Sequence, residues 1–264
     1  MLLKKELKFN YKPFLIWTIV LLFFSAMIAP FVDVIMEDAA SLKDFINSMP
    51  KFMLKLFNID ENFITPEGFF SAKVMIMAEI FAAIFAVILA SNVFVGEFES
   101  KTIEYILTKP YSRRNIFMKK AITLFIYYTL FALIFCFSVL LLFSIYVHYD
   151  YNSSILMGFA LYLYVIEIVF GALTILFSVI FQKSFITISA TMGIFLIMYV
   201  ADMLGNVDEK YEWIRNLTLF KYIPLGDTVK YTKVYIGNSI LFIIMGLVIT
   251  IVAGKIFEKE DILI

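Results

Sequence analysis

Two residue types on which many reactive and cross-linked sites depend are almost missing from this chain: it has one cysteine, Cys136, and one histidine, His148. A lone cysteine within an apolar run closes no disulfide inside the chain and behaves as a small hydrophobe. One His and one Cys supply neither the ligands of a zinc site nor the base–nucleophile pair of a Ser-His or Cys-His hydrolase. No catalytic and no metal-binding residues are therefore expected. Charge is scarce as well, at 17% of residues, against about 25% in soluble domains. Apolar residues make up 62% and the mean hydropathy is +0.91, so there is too little polar surface to wrap a water-soluble core. Basic and acidic residues balance at 22 each, and nothing in this composition calls for a nucleic-acid partner.

A phosphate-binding loop is missing too. That loop needs Gly-x4-Gly-Lys-Ser/Thr, so that backbone N–H groups cradle the phosphates. The one Gly-Lys pair, Gly254-Lys255, is followed by Ile256 and preceded, five residues earlier, by Ile249. No nucleotide cofactor is expected in this chain, and ATP with its Mg²⁺ would have to be bound by a partner. The 13 Met are scattered and form no copper site; the 30 Phe and 15 Tyr read as lipid-facing bulk and interfacial belts.

What the chain has in abundance is long apolar runs. Six reach the ~20 helical residues needed to cross a ~30 Å hydrocarbon core: Phe14–Val32, Val74–Val95, Ala121–Val147, Ile155–Phe181, Phe185–Leu204 and Ile236–Phe257. They lack the period-two alternation of an outer-membrane barrel. The expected fold is an all-α six-helix transmembrane bundle forming a single permease-sized domain over residues 1–264. The third and fourth runs, 27 residues each, imply tilt. The first run is too long for a signal peptide and lacks an Ala-x-Ala end, so it is expected to be a retained span.

Six spans put both termini on one side. The segments on that side hold 13 basic residues, among them Lys4, Lys5, Lys8, Arg113, Arg114, Lys119 and Lys120, within about 50 positions. The opposite side holds nine, spread over two long loops, 33–73 and 205–235, which weigh less in the positive-inside rule. Both termini are therefore expected in the cytoplasm, with the chain in the cytoplasmic membrane. Pro50, Pro66 and Gly68 punctuate the first outer loop, and Gly205, Pro224 and Gly226 the second. A short amphipathic helix is expected at Leu42–Phe57.

The segment joining the second and third spans, residues 96–114, carries the most information. Glu97 to Lys109 reads as a short helix with Ile103, Ile106 and Leu107 on one face. Glu97 and Glu99 sit where a helix N-terminus favours acids, Pro110 stops the helix, and Ser112 is placed to cap the next one. A plain topology-setting basic loop is the alternative. The order Gly96-Glu97-x-Glu99-x-x-Thr102-Ile103-Glu104-x-x-Leu107-x-x-Pro110-x-Ser112-Arg113 resembles the signature of the type-two ABC exporter permeases, in which it lies between the second and third of six spans. Lys101 departs from the pattern, since the family carries Gly there. The resemblance implies a transmembrane subunit, itself not an enzyme, whose cytoplasmic link docks into a separate ABC ATPase. Its coupling residues would be Glu97, Glu99, Thr102, Glu104, Ile106, Leu107, Pro110, Arg113 and Arg114. It also implies a second permease subunit, as a homodimer or a paralogous heterodimer in the lipid bilayer. The competing reading is an ion-coupled secondary transporter using an intramembrane Glu; it lacks a visible inverted repeat.

Three acids fall within apolar runs, where a central charge costs ~2.5–3.5 kcal/mol. Glu79 shares a face with the small-residue stripe Ala78, Ala82, Ala86 and Ala90; Glu167 shares one with Tyr164, Gly171, Thr174 and Ser178. Both are expected to point into protein or a wet cavity, either on a translocation path or as structural polar sites. At 1.5 Å per residue, Glu167 lies ~18 Å from the outer end of its span and Glu79 ~8 Å from its own. Asp202 is expected to be merely interfacial. Residues Met1–Tyr11, with Leu3 and Leu7 beside Lys4 and Lys8, are expected either to form an interfacial helix with snorkelling lysines or to serve as a topology-setting basic tail.

Overall fold

The computed structural model describes residues 2–38, 43, 44, 46, 48–50, 53, 54, 61–99, 112–207 and 209–259. Among them the regular structure is helical throughout. Six helices are long and apolar enough to cross a membrane: α1 (Leu2–Ile28), α2 (Pro66–Phe94), α3 (Arg113–Tyr146), α4 (Ser153–Phe181), α5 (Ser184–Val207) and α6 (Ile236–Lys259). The all-α six-helix fold is the one the apolar runs predict.

The helices differ from the runs mainly at their starts. α1, α2 and α3 begin at Leu2, Pro66 and Arg113, well before the apolar runs at Phe14, Val74 and Ala121. Hydrophobicity does not set these starts; at α2 and α3, caps do. Thr65 accepts a hydrogen bond from Gly68 N (3.1 Å), with Pro66 in the first turn, where its fixed φ suits a helix and its missing N–H costs nothing. Pro66 and Gly68 thus open a span rather than punctuate a loop. Ser112 caps α3 as its spacing predicts, accepting from Asn115 N at 3.3 Å. Residues 2–11 are not a separate interfacial helix. They continue into α1 through Pro13, and Glu6 and Asn10 are buried against the bundle. The expected helix at Leu42–Phe57 lies largely outside the described residues.

α4 is the centre of the bundle. It packs along α2 and α6 and also against α3 and α5. In its most apolar stretch 72% of residues are buried, against 67% for α2 and only 22% for α5 and α6. The outer helices turn bare apolar side chains outward, such as Phe23, Phe137, Ile197 and Leu241; in a bilayer that surface meets lipid tails. Without a hydrophobic drive between spans, close packing of small residues holds them together. Ala78, Ala82, Ala86 and Ala90 of α2 are all fully buried. At Gly171 a Cβ would come within 2.6 Å of Tyr128 Oη, and at Gly246 within 2.7 Å of the Ile168 side chain.

Polar contacts define two ends. At one, Asp33 in the short helix Phe31–Glu37 takes hydrogen bonds from His148 N (3.1 Å) and approaches His148 Nδ1 at 2.6 Å, while Glu67 accepts from Asn152 N. At the other, Lys120 pairs with Glu6 (3.7 Å) and donates to Val93 O, and Arg114 approaches Glu258 at 3.9 Å. The N-terminal and C-terminal segments therefore share one end with the feet of α2 and α3.

Tyr128 is held both by its hydrogen bond to Ala86 O (2.9 Å) and by edge contact with Phe85, so it has little freedom to yield. Gly171→Ala is expected to destabilise the bundle by ~1–3 kcal/mol through overpacking, read as a lower melting temperature in detergent. An unchanged melting temperature would show that the tyrosine moves aside.

Candidate functional site

The end of the bundle that carries both terminal segments also carries the sequence signature. Gly96–Glu99 forms one helical turn directly after α2. Residues 100–111, and with them Thr102, Glu104, Ile106, Leu107 and Pro110, lie outside the described residues, as does the remainder of the expected Glu97–Lys109 helix. Glu97 is within the Gly96–Glu99 turn. Glu99 is fully placed: its carboxylate accepts hydrogen bonds from both Ser184 N (2.8 Å) and Ser184 Oγ (2.9 Å). Ser184 opens α5, so the acid sits on the positive end of that helix and satisfies one of its free N–H groups. The link between α4 and α5 is only Gln182 and Lys183, with Gln182 in the left-handed region at φ 52°. A short turn of this kind leaves α5 little slack, and Glu99 ties it to the foot of α2. Ser184 has no signature in sequence, because its role depends on where the α4–α5 turn lands.

Arg113 and Arg114 begin α3. Arg114 and Glu258 are largely exposed at 3.9 Å, and a pair of that kind contributes little to stability. Lys120 behaves differently. The sequence reads it as one of the topology-setting cations, yet it is only 1% exposed. It sits against Glu6, Val93 O and the Phe94 ring (5.9 Å). The available hint was Glu6 itself, a single acid among the lysines of residues 4–12.

The acids in the spans separate. Glu79 and Asp202 line one cavity of about 340 Å³ at the opposite end of the bundle, between the start of α2, the end of α5 and the loop that follows. Ser71 and Ala72, in a π-helical turn of α2 (Ser71–Met75), form part of its wall. Wide turns of this type recur at functional sites. Asp202 is more than interfacial: it bonds Arg215 Nε at 3.0 Å and accepts from Asn206 at 3.3 Å. The sequence reading missed this because Arg215 is 13 residues away, in the short helix Glu212–Arg215, and only the fold of the loop returns it. Glu79 is 4% exposed and has no hydrogen-bond or ion-pair partner among the described residues.

Glu167 is not in that cavity. It is fully buried in α4, and neither carboxylate oxygen has a hydrogen-bond partner among the described residues. It lies one turn from the Gly171–Tyr128 contact, in the most densely packed part of the bundle. An unsatisfied buried polar group costs ~1–3 kcal/mol, whereas an apolar group of similar shape does not. Glu167→Leu is therefore expected to raise the melting temperature or leave it unchanged. A clear fall would reveal a partner for the carboxylate and argue for a mechanistic role.

No individually curated protein is similar enough to count as a relative. Among protein families, the description "ABC-2 family transporter protein" matches residues 1–262. The match runs through all six spans and the 96–114 segment rather than the segment alone. Six spans, a motif-bearing link at the foot of α2 and a match across nearly the whole length agree: the chain belongs to the ABC-2 transporter family and is a multi-pass membrane permease of an ABC transporter.

Proposed function

We propose that this permease works as an exporter subunit, driven by a separate cytoplasmic ABC ATPase that docks on residues 96–114. The observation that carries the reading is the ordered signature Gly96–Arg113 placed between α2 and α3, with its root fastened to α5 through Glu99. Ile103, Ile106 and Leu107 are spaced in the sequence so that a helix there would present an apolar face in need of a cover. Glu97, Glu99 and Glu104 disfavour an anionic membrane surface, and a groove on a partner protein suits apolar anchors at this spacing. The partner supplies ATP binding, Mg²⁺ and hydrolysis. Export, as against uptake, follows from the likeness of the segment to exporter permeases. The count of basic residues supports a cytoplasmic position for both termini and for this link in the cell membrane. Two permease subunits, identical or paralogous, would complete the path across the bilayer.

Two outcomes follow. Single cysteines near Asp60 and Asp208, introduced on a Cys136→Ser background, should react with an impermeant reagent from outside, and those near Lys101 and Glu260 only from the cytoplasm. Outside labelling near Lys101 would overturn the orientation. Replacing Ile106 or Leu107 with Asp would bury an unpaired charge in the docking contact, which costs ~3–5 kcal/mol. The ATPase should then be lost from the membrane fraction, together with stimulated ATP turnover, while membrane insertion is unaffected. If the ATPase still co-purifies and turns over as before, the segment is not the coupling element.

A further inference from the structure

We propose that the cavity lined by Glu79 is a binding site for amphipathic organic cations. Two features meet there. The walls are apolar and aromatic, with Phe63, Ile76, Ile80, Tyr199 and Phe220 among them. The ionisable acids and bases that line it are Glu79, Asp202 and Arg215. Arg215 is already bonded to Asp202 at 3.0 Å, which leaves Glu79 as the acid in the wall without a basic partner among the described residues. Lys73 lies over the Phe63 ring at 5.9 Å but does not line the cavity.

An acid that is 96% buried (4% exposed), has no hydrogen-bond or ion-pair partner among the described residues and lines an apolar cavity is costly at membrane depth unless something compensates it. Protonation is one way to compensate it, and a bound cation taking the proton's place is the other. Such a cation has to be carried by an apolar body, because the remaining wall offers few hydrogen bonds. Aromatic rings favour the same ligand: the faces of Tyr199 and Phe220, which meet edge-on at 5.4 Å, attract a desolvated cation. A volume of about 340 Å³ is at the lower end of the range for small-molecule sites, which suits a compact ligand rather than a peptide or a whole lipid. An anion is disfavoured, since Arg215 is occupied by Asp202 and no other basic side chain is among the described lining residues. That the ligand is the transported cargo rests on the permease reading above; the preference for a cation rests on the cavity alone.

The test uses the purified full-length chain in nanodiscs of zwitterionic lipid. Labelled tetraphenylphosphonium is the probe, and tetraphenylborate is its counterpart of equal shape and opposite charge. Wild type should bind the cation saturably, and Glu79→Gln should weaken that binding at least tenfold while its melting temperature holds or rises. Ala72→Phe, which fills the cavity but keeps Glu79, should also abolish saturable binding. Tetraphenylborate should show none. The proposal is overturned if wild type shows no saturable binding, if Glu79→Gln or Ala72→Phe binds like wild type, or if the borate binds as tightly as the phosphonium. Because the ATPase is not needed, the result is independent of the coupling-segment variants. A site that binds cations in a protein that fails those coupling tests would leave the cavity standing and remove only the exporter reading.

Discussion

A lipid interior offers no hydrogen-bond partner, so every polar group at that depth must find one inside the protein. That constraint organises this bundle. Backbone groups are satisfied within six helices, and hydroxyls bond back onto their own helix: Ser25 to Leu21 O, Thr174 to Phe170 O, Thr250 to Gly246 O. Tyr128 reaches across to Ala86 O at 2.9 Å, and that bond fixes how closely α2, α3 and α4 approach. The buried Lys120 is tolerated because Glu6, a carbonyl and an aromatic ring surround it. The side-chain hydroxyls of Thr18, Ser91, Ser178 and Thr187 find no partner among the described residues, and neither do the two acids Glu79 and Glu167, which are the costlier exceptions. One lines a cavity and the other is enclosed by packing.

The two ends of the bundle are joined by the same pair of helices. α2 passes the cavity wall at Gly68 and in the π-helical turn Ser71–Met75, and the Gly96–Glu99 turn follows its other end. α5 begins at Ser184, held by Glu99, and ends at Asp202, Asn206 and the cavity. Two helices, α2 directly and α5 through the Glu99–Ser184 contact, therefore run from the start of the 96–114 segment to the cavity wall. α4, tightly packed at Gly171, is the element that both of them lie against.

Much of this was legible in the sequence, for particular reasons. Apolar runs mark spans because length and hydrophobicity are local properties, and Ser112 marks a helix start because a cap acts over three residues. The Ala78–Ala90 stripe marks a packed face for the same kind of reason, its period being that of one helix. The signature at residues 96–114 was readable because its residues are consecutive. Where the reading went astray, local cues were set against tertiary ones. Pro66 reads as a breaker until its position in the first turn is known. The N-terminal lysines read as an interfacial anchor or a basic tail until α3 covers Glu6.

Sequence alone thus determined the class, the number of spans and the place of the 96–114 signature between the second and third of them. Each of these depends on neighbours in the chain or on simple composition. Tertiary structure alone decided which acids matter and how. It joined Asp202 to Arg215 across 13 positions and Glu99 to Ser184 across 85. It put Glu79 in a cavity and closed the packing over Glu167. The physical reason is that a charge in a membrane is judged by what faces it, and what faces it comes from another helix.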